Sequence, residues 1–539
     1  MRQRISRRRF LGAAAASSVM VAAGCSGGED DEALPAATDT ATATDATPVA
    51  LSRGFDAGVA SGEAGPDRVI LWTHLAEPSE LRGQVAIDAA FNEVVAESEV
   101  EAALDWGLTA HWAVEGLEPN TEYYYRFLST DGASPSGRFR TAPAEDEQVS
   151  FRFAISGDSD GTRDVSEPSP YGGFGVLNAI RANTPDFFLY IGDTIYSDSG
   201  LRAAPAVTID EYRGCYLENR TYQPLTDLLA SVATFAMFDD HEVMNDFDGQ
   251  TVDQARYVAG YRAFRDFFPL GAEPADWSAT TGVADAPVAY RSFRWGAAAE
   301  FFIIDTRSFR SGDAEPFCLL PDGSSDLIPA LGTASAPESG VGVRGVLGHP
   351  AQTDQACLEE LASSNKTVLG AEQKAWLFDG LRDSDATFRF VVTGEPIQQF
   401  FAQPYDRWEG FEAERREVLE FIRDEDIRNV IFLTTDLHGN LINEVSPDYL
   451  AGEPPVAVEV VTGPIGTNTF AAGIAELGGP ELVDAFKGFA SSLAGTRCLE
   501  IDVYSYALLE VNAEAPAVIV SIRDERGAEL YSETLAAPS

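Results

Sequence analysis

The chain has 539 residues with 45% hydrophobic and 10% aromatic content, and its 85 acidic and 38 basic residues give a formal net charge of −47. This length allows two or three globular cores, and the hydrophobic content excludes a largely disordered protein. The excess of negative charge argues against affinity for nucleic acids or anionic lipid surfaces, because both carry the same sign as the protein.

The first 25 residues have the features of an export signal rather than of a folded element. Residues 6–11 read SRRRFL, a twin-arginine signature, and the uncharged stretch 12–24 is too short to span a membrane. The letters AAG before Cys25 resemble a lipoprotein cleavage box, so Cys25 is a candidate lipidation site; the alternative is an incidental cysteine after an ordinary signal peptide. Residues 26–50 contain few large apolar side chains and are predicted to form a flexible linker. We therefore expect export by the twin-arginine pathway to the periplasm or cell surface, with a lipid anchor as the membrane contact.

Residues 52–143 are predicted to form a small all-β domain. An apolar strand at residues 69–72 is followed by a Pro-Asn-Thr turn at 119–121 and an aromatic, alternating strand at 122–127. This order is typical of fibronectin-like or immunoglobulin-like sandwiches. His74 and His111 lie in this region without neighbouring acidic clusters, so we interpret both as packing or surface residues.

Residues 148–539 are predicted to form an α/β domain, in which short buried strands alternate with helices. The predicted helices include residues 255–268 and 371–382. The predicted strands are residues 151–156, 187–191, 233–238, 301–305, 388–393, 430–435 and 456–462. Two alternating segments, 498–511 and 517–523, are predicted to complete a second sheet. Functional loops are expected at the carboxyl ends of the strands.

Polar side chains directly follow four of these strands. In chain order they are Asp158, Asp193, Tyr196, Asp240, His241, Asn245, Asp436 and His438. Because loops after parallel strands meet at one edge of a sheet, we expect these side chains to converge. Carboxylates gathered in one crevice resist ionising together unless a cation neutralises them. The pattern therefore predicts a metal site, with Asp193 as the candidate bridge between two ions.

Two cations a few ångströms apart suit the hydrolysis of phosphate esters, because they bind the phosphate and generate a hydroxide nucleophile. We expect hydroxide rather than a serine, threonine or cysteine to attack, because we identify neither a GxSxG nucleophile elbow nor a P-loop. Only His241 and His438 of the five histidines lie in the clusters, so oxygen ligands favour hard cations such as Ca²⁺, Mg²⁺ or Fe³⁺. Tyr196 is a candidate phenolate ligand of Fe³⁺, with an aromatic core residue as the alternative.

At these motifs the sequence resembles the PhoD-type alkaline phosphatases of the calcineurin-like metallophosphoesterase superfamily. The matching stretches, in order and spacing, are residues 58–62, 71–73, 123–127, 190–196, 238–242, 304–307, 369–377, 406–411 and 436–438. The resemblance implies an α/β fold, a four-layer metallophosphoesterase sandwich preceded by a small all-β fibronectin- or immunoglobulin-like domain. It also implies an exported enzyme that hydrolyses phosphate mono- or diesters, or both, with metal-activated hydroxide at a binuclear centre.

In PhoD-type enzymes the centre combines Fe³⁺ with Ca²⁺, and the resemblance carries the iron ligands over residue by residue. Fe³⁺ would bind Asp193, Tyr196 and His438. The first motif offers Asp158 where many PhoD enzymes have a cysteine, which makes this motif similar to that of purple acid phosphatases. Zn²⁺, Mn²⁺ and Mg²⁺ stay open as alternative ions.

The resemblance assigns Ca²⁺ to Asp193 and Asp436, with help from the third motif. That motif offers two competing ligands, Asp240 and Asn245. His241 then occupies the position of a residue that steadies or protonates the leaving oxygen.

Arg307 and Arg407 are candidate phosphate contacts, although each is equally compatible with a structural role. A phosphate-ester small molecule is the expected substrate, and we expect a monomer without nucleic-acid partners. Two other interpretations stay open: a phospholipase D-like phosphodiesterase, and a non-catalytic surface lipoprotein that binds calcium. The four remaining cysteines permit two disulfides, with Cys318–Cys357 as the easier pairing.

Overall fold

The structure, a computed structural model, describes residues 54–163, 171–271, 282–333, 344, 349–401, 403–493 and 496–537. The expected signal, Cys25 and the linker lie outside the described residues. None of the described helices is both long enough and apolar enough to cross a membrane.

The described elements are strands and helices in the following bounds. The strands are β1 (Val59–Gly62), β2 (Arg68–His74), β3 (Ser79–Ala86), β4 (Val94–Ala102), β5 (Thr109–Glu115), β6 (Glu122–Ser129), β7 (Gly132–Ala133), β8 (Gly137–Arg140), β9 (Phe151–Ser156), β10 (Phe187–Ile191), β11 (Ala233–Met237), β12 (Arg291–Trp295), β13 (Ala299–Ile303), β14 (Phe388–Val392), β15 (Val430–Thr434), β16 (Asn440–Val445), β17 (Ala457–Val461), β18 (Thr496–Glu500), β19 (Ser505–Asn512), β20 (Ala517–Asp524) and β21 (Glu529–Ala536). The helices are α1 (Gly175–Ala182), α2 (Ile209–Asn219), α3 (Gln223–Ser231), α4 (Gln254–Phe267), α5 (Gln355–Leu361), α6 (Gly370–Asp383), α7 (Glu412–Asp424), α8 (Phe470–Gly478) and α9 (Pro480–Leu493).

Three sheets organise the strands. The nine-stranded sheet has the order β21-β20-β19-β9-β10-β11-β1-β2-β5, and the seven-stranded sheet has the order β12-β13-β14-β15-β17-β16-β18. In the five-stranded sheet the order is β4-β3-β6-β7, with β8 also paired to β6. Strands β9, β10 and β11 are parallel neighbours, as are β13, β14, β15 and β17. Their carboxyl ends therefore meet at one edge of each sheet, where loops can share a site.

The two large sheets pack face to face through aromatic side chains. The rings of Phe153 and Phe187 stack at 5.0 Å, and Phe301 of the other sheet meets Phe153 edge-on at 5.2 Å. Phe390 stacks on Phe301 at 4.7 Å. Each such side chain contributes about 1.5–3 kcal/mol when buried, so this cluster fixes the relative position of the sheets.

Helices cover the outer face of each large sheet. On the nine-stranded sheet, α1 to α4 bury apolar side chains that include Ile180, Leu228 and Phe264. On the seven-stranded sheet, α6 and α7 bury Leu377 and Leu419. The order helix, sheet, sheet, helix is the predicted four-layer α/β sandwich, which is confirmed.

The predicted all-β region is formed by β1 to β8, but its strands are shared between two sheets. β1 runs parallel to β11, with Gly62 opposite Thr234, so β1, β2 and β5 extend the nine-stranded sheet. The indole nitrogen of Trp72 in β2 donates to the Asp266 carbonyl at 2.8 Å. The Arg220 guanidinium lies over the Trp72 ring at 4.8 Å. The domain boundaries at residues 143 and 148 stay a prediction, because the nine-stranded sheet contains strands from both sides of them.

The prediction of one strand over residues 498–511 was wrong. The segment divides into β18, which joins the seven-stranded sheet, and β19, which pairs with β9 in the nine-stranded sheet. The Ser505 hydroxyl at the crossing donates to Asn440 Oδ1 at 3.0 Å. Alternation of apolar residues indicates a strand but not the sheet that it joins, so the sequence did not reveal the division.

Cys318 and Cys357 form a disulfide with a Cα–Cα distance of 4.6 Å, as predicted. Among the described cysteines, Cys215 and Cys498 are buried free thiols. The second disulfide that the cysteine count permitted is therefore not formed between them.

Candidate metal centre

Four loops from both large sheets bring the predicted site residues to one place. Asp158 follows β9 and Asp193 follows β10, while Asp239 and Asp240 follow β11 of the same sheet. The loop after β15 of the seven-stranded sheet supplies Asp436 and His438. The parallel register of β10 with β9 and β11 sets the first three loops level with each other.

Several site residues have a left-handed backbone. The φ angles are 61° at Asp158, 48° at Asp193, 62° at Asp436 and 56° at His438. Such angles are uncommon outside glycine and cost about 1–3 kcal/mol each where the residue is not suited to them. Their concentration here indicates a geometry that the surrounding fold imposes on the loops.

The converging side chains form overlapping groups of possible metal ligands. One ligand atom each from Asp158, Asp193 and His438 lies within 4.8 Å of the others, and the same holds for Asp193, Asp240 and His241. Asp239, Asp240 and Asp436 form a further group. A fourth group consists of Asp240, Asp246 and Asp406. Asp193 joins the first group to the second, and Asp240 joins the second to the other two.

Tyr196 lies beside this arrangement. Its hydroxyl is 2.9 Å from Nε2 of His438, and that nitrogen is 3.8 Å from Asp158 Oδ1. Burial, together with the carboxylates of Asp193 and Asp158, raises the pKa of Tyr196 well above its ordinary value. The phenol therefore needs a cation nearby before it can ionise.

The carboxylates at the centre carry an electrostatic conflict. Burial, followed by the charges of Asp436 and Asp239, raises the pKa of Asp158. Burial also raises the pKa of Asp193 well above its ordinary value, and nearby Asp240 adds to this effect. Within the described residues, Asp158 Oδ2 and Asp240 Oδ1 are buried without a hydrogen-bond partner. Unsatisfied buried acceptors are costly, so these oxygens fit the coordination of cations.

Glycines at two positions allow the Asp158 loop to fit. A Cβ atom at Gly157 would lie 2.1 Å from the Ile191 carbonyl oxygen. At Gly463, where φ is +117°, a Cβ would lie 2.7 Å from Asp158 Oδ2. A side chain at either position would displace the loop or the carboxylate itself.

The expectation that the sequence contains no GxSxG pattern was wrong, because residues 157–161 read GDSDG, but the structure does not support a nucleophile role for this serine. Ser159 is fully buried, and its hydroxyl bonds to the Tyr190 hydroxyl and to the Asp193 carbonyl at 3.2 Å. Ser159 therefore holds the loops after β9 and β10 together.

His241 is held by an aspartate that the sequence analysis missed. Its Nδ1 is 2.6 Å from Asp198 Oδ1, and the backbone amide of Asn245 donates to Asp198 Oδ2 at 2.9 Å. Burial alone would lower the pKa of His241, but the carboxylates of Asp198 and Asp193 outweigh it and raise the pKa well above its ordinary value. Burial likewise opposes ionisation of Asp198, yet His241 lowers the pKa of Asp198 to about 2. No motif marks Asp198, because its role depends on a contact formed only in the fold.

Glu242 and Arg307 connect the loops below the ligands. Glu242 accepts hydrogen bonds from the Thr194 amide at 2.5 Å and from the Asp239 amide at 2.8 Å. Arg307 is fully buried and pairs with Asp239 at 2.5 Å. Its other partners are Asp406 at 2.7 Å and Glu395 at 2.9 Å, and Asp240 lies 3.9 Å away.

The arginines predicted to contact phosphate lie in structural positions. Complete burial leaves Arg307 no surface for a substrate, and its three close carboxylates account for its position. Arg407 is also buried, 3.4 Å from Glu409 and over the Phe400 ring at 5.2 Å. These contacts favour a structural role for Arg307 and Arg407, which is the alternative that the sequence left open.

Comparison with known proteins identifies the family. Residues 165–496 match the model of the PhoD-like phosphatases, and residues 40–143 match the model of the N-terminal domain of these phosphatases. The chain belongs to the PhoD-like phosphatase family. This membership confirms the resemblance seen in the motifs and makes the chain a phosphoric ester hydrolase.

Individual relatives agree with the family assignment. This PhoD-like phosphatase is 28% identical over 450 residues to alkaline phosphatase D of Bacillus subtilis strain 168, an alignment covering 75% of this chain and 68% of that protein. A solved structure of PhoD matches with a TM-score of 0.69 at 22% identity, covering 92% of this chain and 90% of that one. A purple acid phosphatase from yellow lupin seeds matches with a TM-score of 0.50 at 13% identity, covering 89% and 73%. The carboxylate and histidine groups described above could hold metal ions.

Proposed function

We propose that this PhoD-like phosphatase hydrolyses phosphate mono- and diesters at a centre of two cations that share Asp193. The observation that carries the proposal is the membership of Asp193 in two ligand groups, one with Asp158 and His438 and the other with Asp240 and His241. In the second group we assign Asp240 as a ligand of the second cation and His241 as the neighbouring proton donor. When bound, the two cations would neutralise the phosphate oxygens and lower the pKa of a coordinated water.

The contacts support an unequal division of ligands between the two positions. Asp158, Asp193, Tyr196 and His438 would hold the first cation, since the Tyr196 hydroxyl lies 2.9 Å from His438. This set combines three oxygens with one nitrogen and includes a phenol, which favours Fe³⁺.

The second cation would take oxygen ligands only. Asp193, Asp240 and Asp436 would hold it, with Asn245 as the alternative to Asp240. An all-oxygen set favours Ca²⁺, and Mg²⁺, Mn²⁺ or Zn²⁺ remain compatible with one or other position. Oδ1 of Asp240 is buried and accepts no hydrogen bond, with the Arg307 guanidinium 3.9 Å away, which supports its assignment.

His241 is suited to donate a proton to the leaving oxygen. Its hydrogen bond to Asp198 fixes the ring, and its Nε2 lies 4.0 Å from Asp193 Oδ2, on the side of the ligand groups. Although burial opposes it, the Asp198 carboxylate raises the pKa of His241, which favours the protonated imidazole that a general acid requires.

Removal and return of the cations test this function. We expect dialysis of the purified enzyme against a chelator to lower kcat about 10³-fold on p-nitrophenyl phosphate and on bis(p-nitrophenyl) phosphate, since metal ions contribute several kcal/mol to such reactions. Fe³⁺ with Ca²⁺ should restore both activities and a visible tyrosinate–iron absorption band. The matched variant Tyr196→Phe should lack the band. Full activity in protein shown by elemental analysis to be metal-free would refute the centre.

We also propose that the enzyme is exported by the twin-arginine pathway and anchored as a monomer through a lipid on Cys25, on the basis of residues 6–11 and the cleavage box. Cys25→Ser should move the enzyme from the membrane fraction to the soluble fraction of cells, because two or more acyl chains hold a protein far more firmly than a surface contact. Cys215→Ser, at a buried free thiol, is the control. An unchanged membrane fraction in Cys25→Ser would count against the anchor, and a sedimentation mass above 57.9 kDa for the released form would exclude the monomer.

A further inference from the structure

Asp406 belongs to a network of buried arginines and carboxylates below the ligand loops. Arg307 donates to both its carboxylate oxygens, at 2.7 and 3.2 Å, and Arg310 approaches Oδ1 at 3.2 Å. Arg310 also donates to the backbone carbonyl of Asp406 and, at 2.8 Å, to Glu395. The same Arg307 side chain bonds to Asp239, the neighbour of Asp240. A displacement of Asp406 would therefore move the loop after β11, because the Arg307 side chain bonds to both.

The residues next to Asp406 are attached to a different part of the chain. Tyr405 packs in one buried cluster with Ala314 and with the disulfide cysteines Cys318 and Cys357. Its hydroxyl donates to the Asp326 carbonyl, and the amide of Gln403 donates to the Leu327 carbonyl at 2.7 Å. Neighbouring residues thus have separate attachments, Tyr405 to residues 314–357 and Asp406 to the metal-ligand loops.

These partners of Tyr405 belong to an insertion between β13 and α6, residues 311–368, of which 311–333, 344 and 349–368 are described. Asp326 organises the insertion: it pairs with Arg344 at 2.9 and 2.8 Å and accepts from Thr353 at 3.1 Å. Nδ1 of His349 lies 3.1 Å from the same carboxylate, and the Asp326 amide donates to the Cys318 carbonyl at 2.8 Å.

Regular structure alone does not hold the insertion together. Its described part contains α5, which carries Cys357, and two short 3-10 turns. The disulfide closes a loop with a sequence separation of 39, and such a cross-link favours the folded arrangement by restricting the unfolded chain. The position of Tyr405 therefore depends on a segment whose order depends on the disulfide.

From this geometry we propose that the Cys318–Cys357 disulfide positions the metal-ligand loop Asp239–Asp240, acting through Tyr405, Asp406 and Arg307, and so sets the affinity for the second cation. The inference rests on the proposed metal centre. Tyr405 is a positioning residue in this arrangement, because it acts through Asp406 and Arg307 on the loop that carries Asp240. Asp406 acts through Arg307 and also lies beside the second cation position, since one of its carboxylate oxygens is within 4.8 Å of possible ligand atoms of Asp240 and Asp246. Outer partners of metal ligands commonly change metal affinity about 10- to 100-fold.

Calcium affinity, measured on the full-length holoenzyme by competition with a fluorescent chelator, tests the proposal. Cys318→Ala/Cys357→Ala should bind Ca²⁺ about ten-fold more weakly than the wild type, at a temperature where circular dichroism shows both to be folded. Cys215→Ser, which alters a buried free thiol outside the insertion, should bind Ca²⁺ like the wild type.

A second pair of variants decides the case even if the cysteine variant does not fold. Tyr405→Leu and Asp406→Asn should each weaken Ca²⁺ binding, and together they should weaken it by less than the product of the single effects, because they act on one path. The inference would be overturned if the effects of Tyr405→Leu and Asp406→Asn on Ca²⁺ affinity multiplied fully, or if the cysteine variant folded and kept wild-type affinity. Either result would leave the proposed function standing. A wild-type enzyme that hydrolyses esters without binding any cation would overturn both.

Discussion

Asp193→Asn is expected to lower turnover about 10³- to 10⁴-fold and to release at least one cation, because a neutral amide bridges two cations poorly and their electrostatic contribution amounts to several kcal/mol. Asp193 is the residue that joins the Asp158–His438 group to the groups around Asp240, so its loss affects both positions at once. Steady-state kinetics with elemental analysis of the same sample would measure both effects. Asp186→Asn, at a carboxylate beside the opposite end of β9, is the matched control and should keep its metals and activity.

Asp193→Asn lowers turnover, but in the metal-free protein the same substitution should make the fold less sensitive to rising pH. A carboxyl whose pKa is raised on folding adds stability below its ordinary value of 3.8 and loses that contribution as the pH rises through the raised value. The metal-free wild type should therefore unfold more easily as the pH rises above about 4, and metal-free Asp193→Asn should show a shallower loss. Urea unfolding across this pH range would measure how the free energy of unfolding changes with pH in each protein.

Unchanged hydrolysis by Asp193→Asn, with both cations retained, would refute the bridging role of Asp193.

Arg307→Met is expected to destabilise the fold by about 3–5 kcal/mol, the usual cost of leaving buried carboxylates without their cation. Burial alone would lower the pKa of Arg307, but Asp239, Asp406 and Glu395 outweigh it and raise the pKa well above its ordinary value. The three acids would lose their common partner, and one of them, Asp239, directly precedes Asp240. Equilibrium unfolding in urea would report the free-energy change.

Two comparisons make the Arg307 result specific. Arg307→Lys keeps the charge but cannot bridge three carboxylates, so it should recover only part of the lost stability. Arg428→Ala, at an exposed pair with Asp426, should leave the unfolding curve unchanged. A wild-type free energy of unfolding in Arg307→Met would show that this buried network of arginine and carboxylates does not stabilise the fold.

The sequence allowed the layered fold and the metal loops to be predicted because both depend on local patterns. The bounds of β9 and β10 agree with the predicted strands residue for residue, and β11, β14, β15 and β17 agree within one residue at each end. Such short buried runs are distinct from their surroundings, and polar residues after them mark the loops. Asp158, Asp193, Asp240, Asp436 and His438 were found in this way and do converge.

Other features depend on contacts between distant segments, which a single sequence does not encode visibly. Asp198 orients His241 across 43 positions, and Arg307 meets Asp406 across 99. The extension of the nine-stranded sheet by β1, β2 and β5 likewise depends on pairing with β11, not on the pattern within those strands. Whether Arg307 faced a phosphate or a carboxylate could be decided only from its burial.

The placement of β19 beside β9 bears on when the enzyme becomes complete during its synthesis. The Ser156 hydroxyl, two residues before Asp158, donates to the Ser505 carbonyl at a separation of 349 positions. A ribosome must therefore deliver nearly the whole polypeptide before the first ligand loop gains its neighbouring strand. Because contacts this distant in the chain form late, metal capture should coincide with release of the finished protein rather than with emergence of its amino-terminal half.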